Sequence, residues 1–220
     1  MEKNQNIETD NHLIDISYLA FIYSNVVSFI NAVCLDMDVI GKLNYFKEVG
    51  KVTDEKKELF HFIQRRTYLS LIVTLDAIID DPNADKEDGE KVKNNGVNLI
   101  KLLNLVFDAV RSNPNKIEKK RNIQYVEKLM VMHKKLQNME ERKNLGTFRD
   151  RLAAHVDTAF IKEQKYEEFD MGNEQFIKIM IPVLNILNGI KELINVTDGE
   201  PLVEIKPFDP ERQTPINHLF

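Results

Sequence analysis

The sequence predicts an all-α protein, a bundle of four to five long helices followed by an extended C-terminal tail. The 220 residues include only 8 Gly and 7 Pro, too few for a sheet protein with many turns. Apolar residues also recur at three- and four-residue steps in five long segments, and no segment keeps the two-residue alternation of a half-buried strand. At 43% hydrophobic residues, the chain can bury a sizeable core.

The first two helices are expected over residues 11–36 and 53–80. In the first, apolar positions cover more than one side, which indicates burial on several faces. Thr53 offers an N-cap for the second, and Asp54 and Glu55 suit the positive end of its dipole. Residues 81–96 are predicted to form a loop. It begins like a calcium loop, but Lys86 and Val92 stand where glycine and glutamate are required, so calcium binding is rejected.

A third helix is expected over residues 97–111, broken by the sequence SNPN. A fourth begins near Ile117 and either continues or restarts through residues 145–156. The fifth spans residues 174–194, with Pro182 expected to kink it. Residues 1–195 thus form a single helical domain, and the Pro-rich residues 196–220 form an extended tail that is flexible or packed on the surface.

Composition narrows the class of protein. The single cysteine, Cys34, cannot form an internal disulfide and is interpreted as a buried thiol in a reducing compartment. The N-terminus has no signal-peptide pattern, and no run of about 18 uninterrupted apolar residues predicts a membrane span. We therefore expect a soluble, cytoplasmic protein without membrane contact.

The net charge of -5 argues mildly against tight binding of long nucleic acids. Residues 116–135 are locally basic, which favours a solvated helix face, with a basic rim beside a site as the alternative.

The stretch FRDRLAAHVD, residues 148–157, contains the candidate site residues Arg149, Asp150 and His155. Helical periodicity puts Leu145, Phe148, Leu152 and Val156 in one apolar stripe. Arg149 and His155 border this stripe on opposite edges, roughly 120° and about 9 Å apart. One helix alone does not bring the two side chains together. A second copy packed antiparallel along the stripe would do so, which predicts a two-fold homodimer.

Arginine and histidine in such a pair suit cleavage of RNA by its own 2′-hydroxyl. The histidine titrates near neutral pH and can move a proton. The arginine stays charged and matches two phosphate oxygens. Neither a cofactor nor a metal is required, and the sequence offers no convincing cluster of metal ligands. Asp150, away from the stripe, is better placed to support the site than to act directly.

These residues resemble the signature of the HEPN superfamily, in which an Arg is followed on a helix by a polar residue, then by three to five residues, and then by a His. Here the three residues are Arg149, Asp150 and His155, with five residues between the Arg and the His. The ending AHVD is similar to the abortive-infection AbiU-type branch, as are residues 60–82 and 98–106, so the resemblance covers about residues 60–157. It implies a dimeric helical bundle with a cleft at the interface. It also implies, for many members, metal-independent RNase activity in phage defence or toxin–antitoxin systems, with RNA and an antitoxin protein as partners.

Other residues and functions stay open at this point. Arg212 and His218 repeat the Arg-to-His spacing in the tail, where Pro215 argues against a helix. His61 is expected in a core or interface and His133 on the solvent side. The leading hypothesis is an endoribonuclease with Arg149 and His155 in its active centre and Asp150 in support. The alternatives are a non-catalytic module that binds nucleotide, RNA or protein in the cleft, and a purely structural protein, which ion-paired burial of Arg149 and His155 would favour.

Overall fold

A computed structural model describes residues 16–82, 96–113, 115–154, 173–194, 202–209 and 211–219. These residues contain six α-helices and no strand, which confirms the all-α prediction and gives one helix more than expected. Short 3-10 helices precede the second α-helix, at Asp54–Lys56, and occur in the tail, at Pro215–His218. The α-helices are α1 (Ile16–Glu48), α2 (Lys57–Ile79), α3 (Leu99–Arg111), α4 (Lys116–Asn138), α5 (Glu140–Ala154) and α6 (Asn173–Ile194).

Helix α1 continues twelve residues beyond its predicted end at residue 36, to Glu48. Its apolar side continues as well, because Ile40, Leu43 and Phe46 are all buried. The acidic residue Asp38, just beyond the predicted end, is buried in the middle of the helix.

The ends of the other helices follow local capping. Thr53 stands at the N-cap position of the short 3-10 turn that precedes α2 and has an extended backbone, but its side chain makes no cap bond. Asn98 caps α3 by accepting from the backbone N–H of Lys101 at 3.0 Å. The fourth predicted helix does restart, since Met139 has an extended backbone (ψ 141°) that ends α4 before α5 begins. Helix α6 continues through Pro182.

The bundle is built on the pair α1 and α2, and α1 also contacts α3 and α6. Helix α4 packs on α3 and α6, while α5 lies against α2, α4 and α6. The close approach of α6 to α4 depends on Gly189, where an added Cβ would stand 2.8 Å from Leu129 Cδ2 and 3.0 Å from Tyr125 Oη. Direct contacts between α2 and α5, including those of Arg142 with Asp76 and Asp80, place the C-terminal end of α2 beside the start of α5.

The tail packs along the surface of α1, one of the two alternatives predicted for it. Asn31 donates to the Glu204 carbonyl (2.9 Å) and accepts from the Lys206 N–H (2.7 Å). Farther along α1, the buried Asp38 accepts from the Asp209 N–H at 2.8 Å and pairs with Arg212 at 3.0 Å. Arg212, the first residue of the repeated Arg-to-His spacing, therefore anchors the tail.

Helix α1 has the length and apolar composition of a membrane-crossing helix, and it alone does so within the part of the chain that the structure describes. The central helix of a water-soluble bundle meets the same criteria. Here α1 packs against α2, α3, α6 and the tail. The localisation of the protein stays a prediction.

Candidate functional site

The predicted site residues fall on the last turns of α5 and just beyond it. Arg149 and Asp150 are described together with their side chains. His155 lies outside the described residues, as does the side chain of Arg151. The structure therefore gives the surroundings of Arg149, while the position of His155 relative to it stays a prediction from helical periodicity.

The apolar stripe of α5 packs into its own bundle over its described half. Leu145 is fully buried in the core, and Phe148 is partly buried against the same core. The side chains of Leu152 and Val156 lie outside the described residues. The interpretation that the whole stripe faces a second copy is wrong for Leu145 and Phe148, because α2, α4 and α6 already surround that part of α5.

A buried carboxylate, Asp76 of α2, organises the polar side of α5. It is 0% exposed and follows the apolar residues LIVTL of α2. Its Oδ1 lies 2.7 Å from Nη1 of Arg142. Its Oδ2 accepts a hydrogen bond from Nη1 of Arg149. Two guanidinium groups that are seven residues apart on α5 thus converge on one carboxylate of α2.

Arg142 is the inner of the two arginines and is itself buried. Its Nη2 donates to Asp80 at 3.1 Å, while its Nε is buried without a hydrogen-bond partner among the described residues. Gly146, one turn later, gives the guanidinium its space, because a Cβ at that position would stand 3.1 Å from Arg142 Nη1. The absence of a side chain at Gly146 therefore leaves space for the Arg142 guanidinium between α5 and α2.

Arg149 is the outer arginine, and 38% of its side chain is exposed. Besides its bond to Asp76, its Nε and Nη2 donate to Asp150 Oδ1 at 3.0 and 2.8 Å. The bond to Asp150, with Asp76 in addition, raises the pKa of Arg149. Its guanidinium is held as a cation with one edge on a buried carboxylate and the other on a carboxylate that is 70% exposed.

The charges of this cluster nearly cancel. Burial raises the pKa of Asp76 above its ordinary value, and Arg142 and then Arg149 oppose that shift. In formal terms, two arginines face Asp76, Asp80 and Asp150, which is two positive charges against three negative ones when all are ionised. An anion that approaches Arg149 therefore competes with Asp150 for the exposed edge of the guanidinium.

His133 corrects one prediction, since it is 2% exposed instead of facing solvent. It lies on α4 in register with the buried Val126, Leu129 and Leu136. Its Nε2 is 3.2 Å from Gln137 Nε2, and Gln137 also donates to the Ile79 carbonyl at the end of α2. Burial lowers the pKa of His133, which favours its neutral form.

The sequence interpretation missed Asp76 and Arg142. The available signal for Asp76 was a single charge inside the mostly apolar segment LIVTLDAII of α2. Such a residue is rarely buried without a partner. For Arg142, the signal was Gly146 one turn away, which had no turn or loop to explain it. Neither signal identifies the partner, because the pairing joins positions more than sixty residues apart.

Comparisons of the chain with protein-family models, with curated proteins and with solved structures gave no match.

Proposed function

We propose that this chain is a HEPN-like, metal-independent endoribonuclease of a phage-defence or toxin–antitoxin type, active as a cytoplasmic homodimer. One observation carries the proposal: Arg149 is a fixed and partly exposed cation at the start of the Arg-to-His motif. The buried Asp76 accepts from one Nη of its guanidinium, and the other Nη and Nε donate to the exposed Asp150. A guanidinium held in this way is preorganised to meet charge that develops on a phosphate.

The chemistry needs one proton acceptor and one charge-stabilising group. His155 takes the proton of the ribose 2′-hydroxyl while the 2′-oxygen attacks the phosphorus. A bond forms between the 2′-oxygen and phosphorus, and the bond from phosphorus to the 5′-oxygen breaks. The leaving 5′-oxygen takes up a proton from water, and the protonated His155 returns its proton to solvent. Arg149 stabilises the phosphorane charge through its two-pronged donor geometry. The products are a 2′,3′-cyclic phosphate and a 5′-hydroxyl end.

The dimer of this proposal uses a surface other than the described half of the α5 stripe. Helices α1 and α2 expose several large apolar side chains, which favours a contact there. One of them, Val73, precedes Asp76 by about one helical turn, so a contact on α2 would border the Arg149 cluster. These exposed side chains are Phe21, Phe29 and Leu35 of α1 and Phe62 and Val73 of α2.

A second candidate function is a non-catalytic module of the same fold that binds nucleotide, RNA or protein. The observation that favours it is the charge balance of the cluster. Asp150 already occupies Nε and Nη2 of Arg149, so a phosphate has to displace a carboxylate before it binds. A site of this kind binds a ligand that brings its own cation or a hydrogen-bond donor for Asp150.

An RNA cleavage assay in EDTA separates the two functions. The wild-type protein is compared with His155→Ala, and with His218→Ala as a matched control that removes an exposed histidine of the tail. We expect the wild-type protein and His218→Ala to produce 2′,3′-cyclic phosphate ends, and His155→Ala to lose at least about 100-fold in rate, as is typical for removal of a general acid or base.

Folding and association are checked in parallel by circular dichroism and light scattering, so that a loss of activity is assigned to chemistry. Equal cleavage by His155→Ala and wild type rejects the assigned active centre. Absence of cleavage by the wild-type protein on several RNA classes, with RNA binding retained, favours the binding module.

A further inference from the structure

The solvent side of α4 carries a stripe of positive charge. Within the described residues its exposed cations have no acidic side chain in salt-bridge contact, and Glu127 is its one exposed acidic residue. From Lys116 to Lys135 the stripe is about 28 Å long. The sequence favours a solvated helix face here, with a basic rim beside a site as the alternative. Its exposed cations are Lys116, Lys120, Arg121, Lys128, Lys134 and Lys135.

A pocket of about 350 Å³ opens in the middle of this stripe. Five residues of α4 line it, and four of them follow one another at helical spacing and share a side of the helix: Arg121, Gln124, Tyr125 and Lys128, with Asn122 as the fifth. Its volume lies within the range of small-molecule sites. A solvated helix face does not require a concave surface with an aromatic ring and an amide between two cations.

Helix α6 provides the opposite wall through Glu192 and Leu193. The wall is close because Gly189, one turn earlier, lets α6 approach Leu129 and Tyr125. Tyr125 donates its hydroxyl to Glu192 Oε2 at 3.0 Å, which fixes the ring against the wall. The pocket therefore lies between two packed helices, and a hydrogen bond between them holds its Tyr125 wall in place.

We propose that the basic side of α4 binds single-stranded RNA, with one nucleotide seated in the Tyr125 pocket. Arg121 and Lys128 contact phosphates on either side of it. The Tyr125 ring provides a stacking surface, and Gln124 and Glu192 provide hydrogen-bonding groups for a base edge. The inference deepens the proposed function and rests on it for RNA as the ligand, but the surface is separate from the Arg149 cluster.

The same charges would also attract an anionic membrane, and the stripe does include the exposed apolar residues Ile117 and Val131. A membrane-binding helix needs a continuous apolar face beside its basic one. The solvent side of α4 has lysines or an arginine between these two apolar residues, and its central feature is concave. RNA, with phosphates and flat bases in alternation, fits this arrangement better than a lipid surface does.

The test measures binding in the His155→Ala background, where the RNA stays intact. Fluorescence anisotropy of a labelled single-stranded RNA is recorded at several salt concentrations. The double variant Arg121→Glu/Lys128→Glu is compared with Lys47→Glu/Lys57→Glu, which reverses two exposed charges on other helices. We expect the first pair to weaken binding about tenfold or more. Its salt dependence should fall by about 1.4 in log–log slope, since each lost phosphate contact removes about 0.7.

Tyr125 gives a second, independent readout. Tyr125→Phe keeps the ring and should bind nearly as well as the parent, whereas Tyr125→Leu should weaken binding by about fivefold or more through lost stacking. Circular dichroism shows whether each variant folds. If the Leu variant does not fold, the Phe variant and the charge pair still decide the matter.

The inference is overturned if Arg121→Glu/Lys128→Glu binds RNA as the control pair does, or if the parent binds anionic vesicles but not RNA. If the proposed function is wrong but the inference is right, RNA binding still depends on the charges of α4, while the protein with His155 intact does not cleave RNA. If the protein with His155 intact cleaves RNA but the α4 variants bind RNA as the control pair does, the inference is rejected and the proposed function stands.

Discussion

Asp76 is the residue on which the geometry of the candidate site depends most. It is fully buried and pairs with one buried and one partly exposed arginine. Ion pairs of this kind contribute little net stability compared with apolar residues, but removal of one partner leaves a buried charge without compensation. The importance of Asp76 should therefore show as a loss of stability when one residue of the ion-paired cluster is replaced and the others are kept.

Asp76→Ala should lower the free energy of unfolding by about 3–5 kcal/mol, because the buried Arg142 loses its nearest carboxylate. Urea denaturation followed by circular dichroism measures this. Asp150→Ala is the matched control, and since Asp150 is 70% exposed, its effect should stay within about 1 kcal/mol.

A double variant, Asp76→Ala/Arg142→Met, should regain much of the loss, as both buried charges are then gone. A decrease of less than about 1 kcal/mol for Asp76→Ala alone would contradict a buried, paired carboxylate.

Single-residue predictions from the sequence succeeded where periodicity alone decided the outcome. Cys34 is buried as expected, because its neighbours on α1 are apolar at helical steps. His133 follows the same rule, since it shares a face with Val126 and Leu129, yet the surrounding lysines suggested solvent. The partners of Asp76 could not be predicted, because no residue near Asp76 in the sequence indicates which distant helix its side chain will contact.

At the scale of helices, the contact between α4 and α6 is closest at Gly189. A methyl group there would collide with Leu129 and Tyr125. Gly41 in α1 provides the contrast, because an added Cβ at that position meets nothing within 4 Å. The two glycines occupy the same kind of backbone but differ in what stands beside them.

Gly41→Ala should raise the free energy of unfolding by up to about 1 kcal/mol, as expected from helix propensity. Gly189→Ala gains the same stabilisation from helix propensity, but the added methyl group overpacks the contact with α4, which should cost about 1–3 kcal/mol. The second variant should therefore be at least about 1 kcal/mol less stable than the first in urea unfolding. Equal stability of the two would mean that α4 and α6 are not in close contact at Gly189.

The helical class was predictable, but the number of helices and several boundaries were not. The α4–α5 break rests on one residue, Met139, whose extended backbone leaves no proline or glycine as a signal. Helix α1 was predicted to end at residue 36, but it continues to Glu48 and contains the buried Asp38. Asp38 stays inside because the distant tail provides its hydrogen-bond donors.

At the scale of the whole molecule, stability should depend on pH through His133. Burial lowers its pKa below the ordinary 6.5, with Asp81 opposing this shift and Arg142 adding to it. As the pH falls through 6.5, the unfolded chain takes up this proton before the folded one does. The His133 contribution is thus fully present above pH 6.5 and is lost as the pH falls below it.

Chemical denaturation at a series of pH values from neutral to mildly acidic tests this. The difference in stability between wild type and His133→Gln should shrink on acidification, by up to about 1.4 kcal/mol per pH unit. His218→Gln, an exposed histidine, should follow the wild type throughout. A pH-independent difference between wild type and His133→Gln would contradict the burial of His133.

The packing of the tail on α1 has a consequence for how the chain is made. Asn31 and Glu204 are 173 residues apart, so at about 5–20 residues per second roughly 10 to 35 s of translation separate them. Throughout that interval Asp38 and Cys34 lack the segment that covers them. Helix α1 therefore acquires this cover only after the helices of the rest of the bundle have been synthesised.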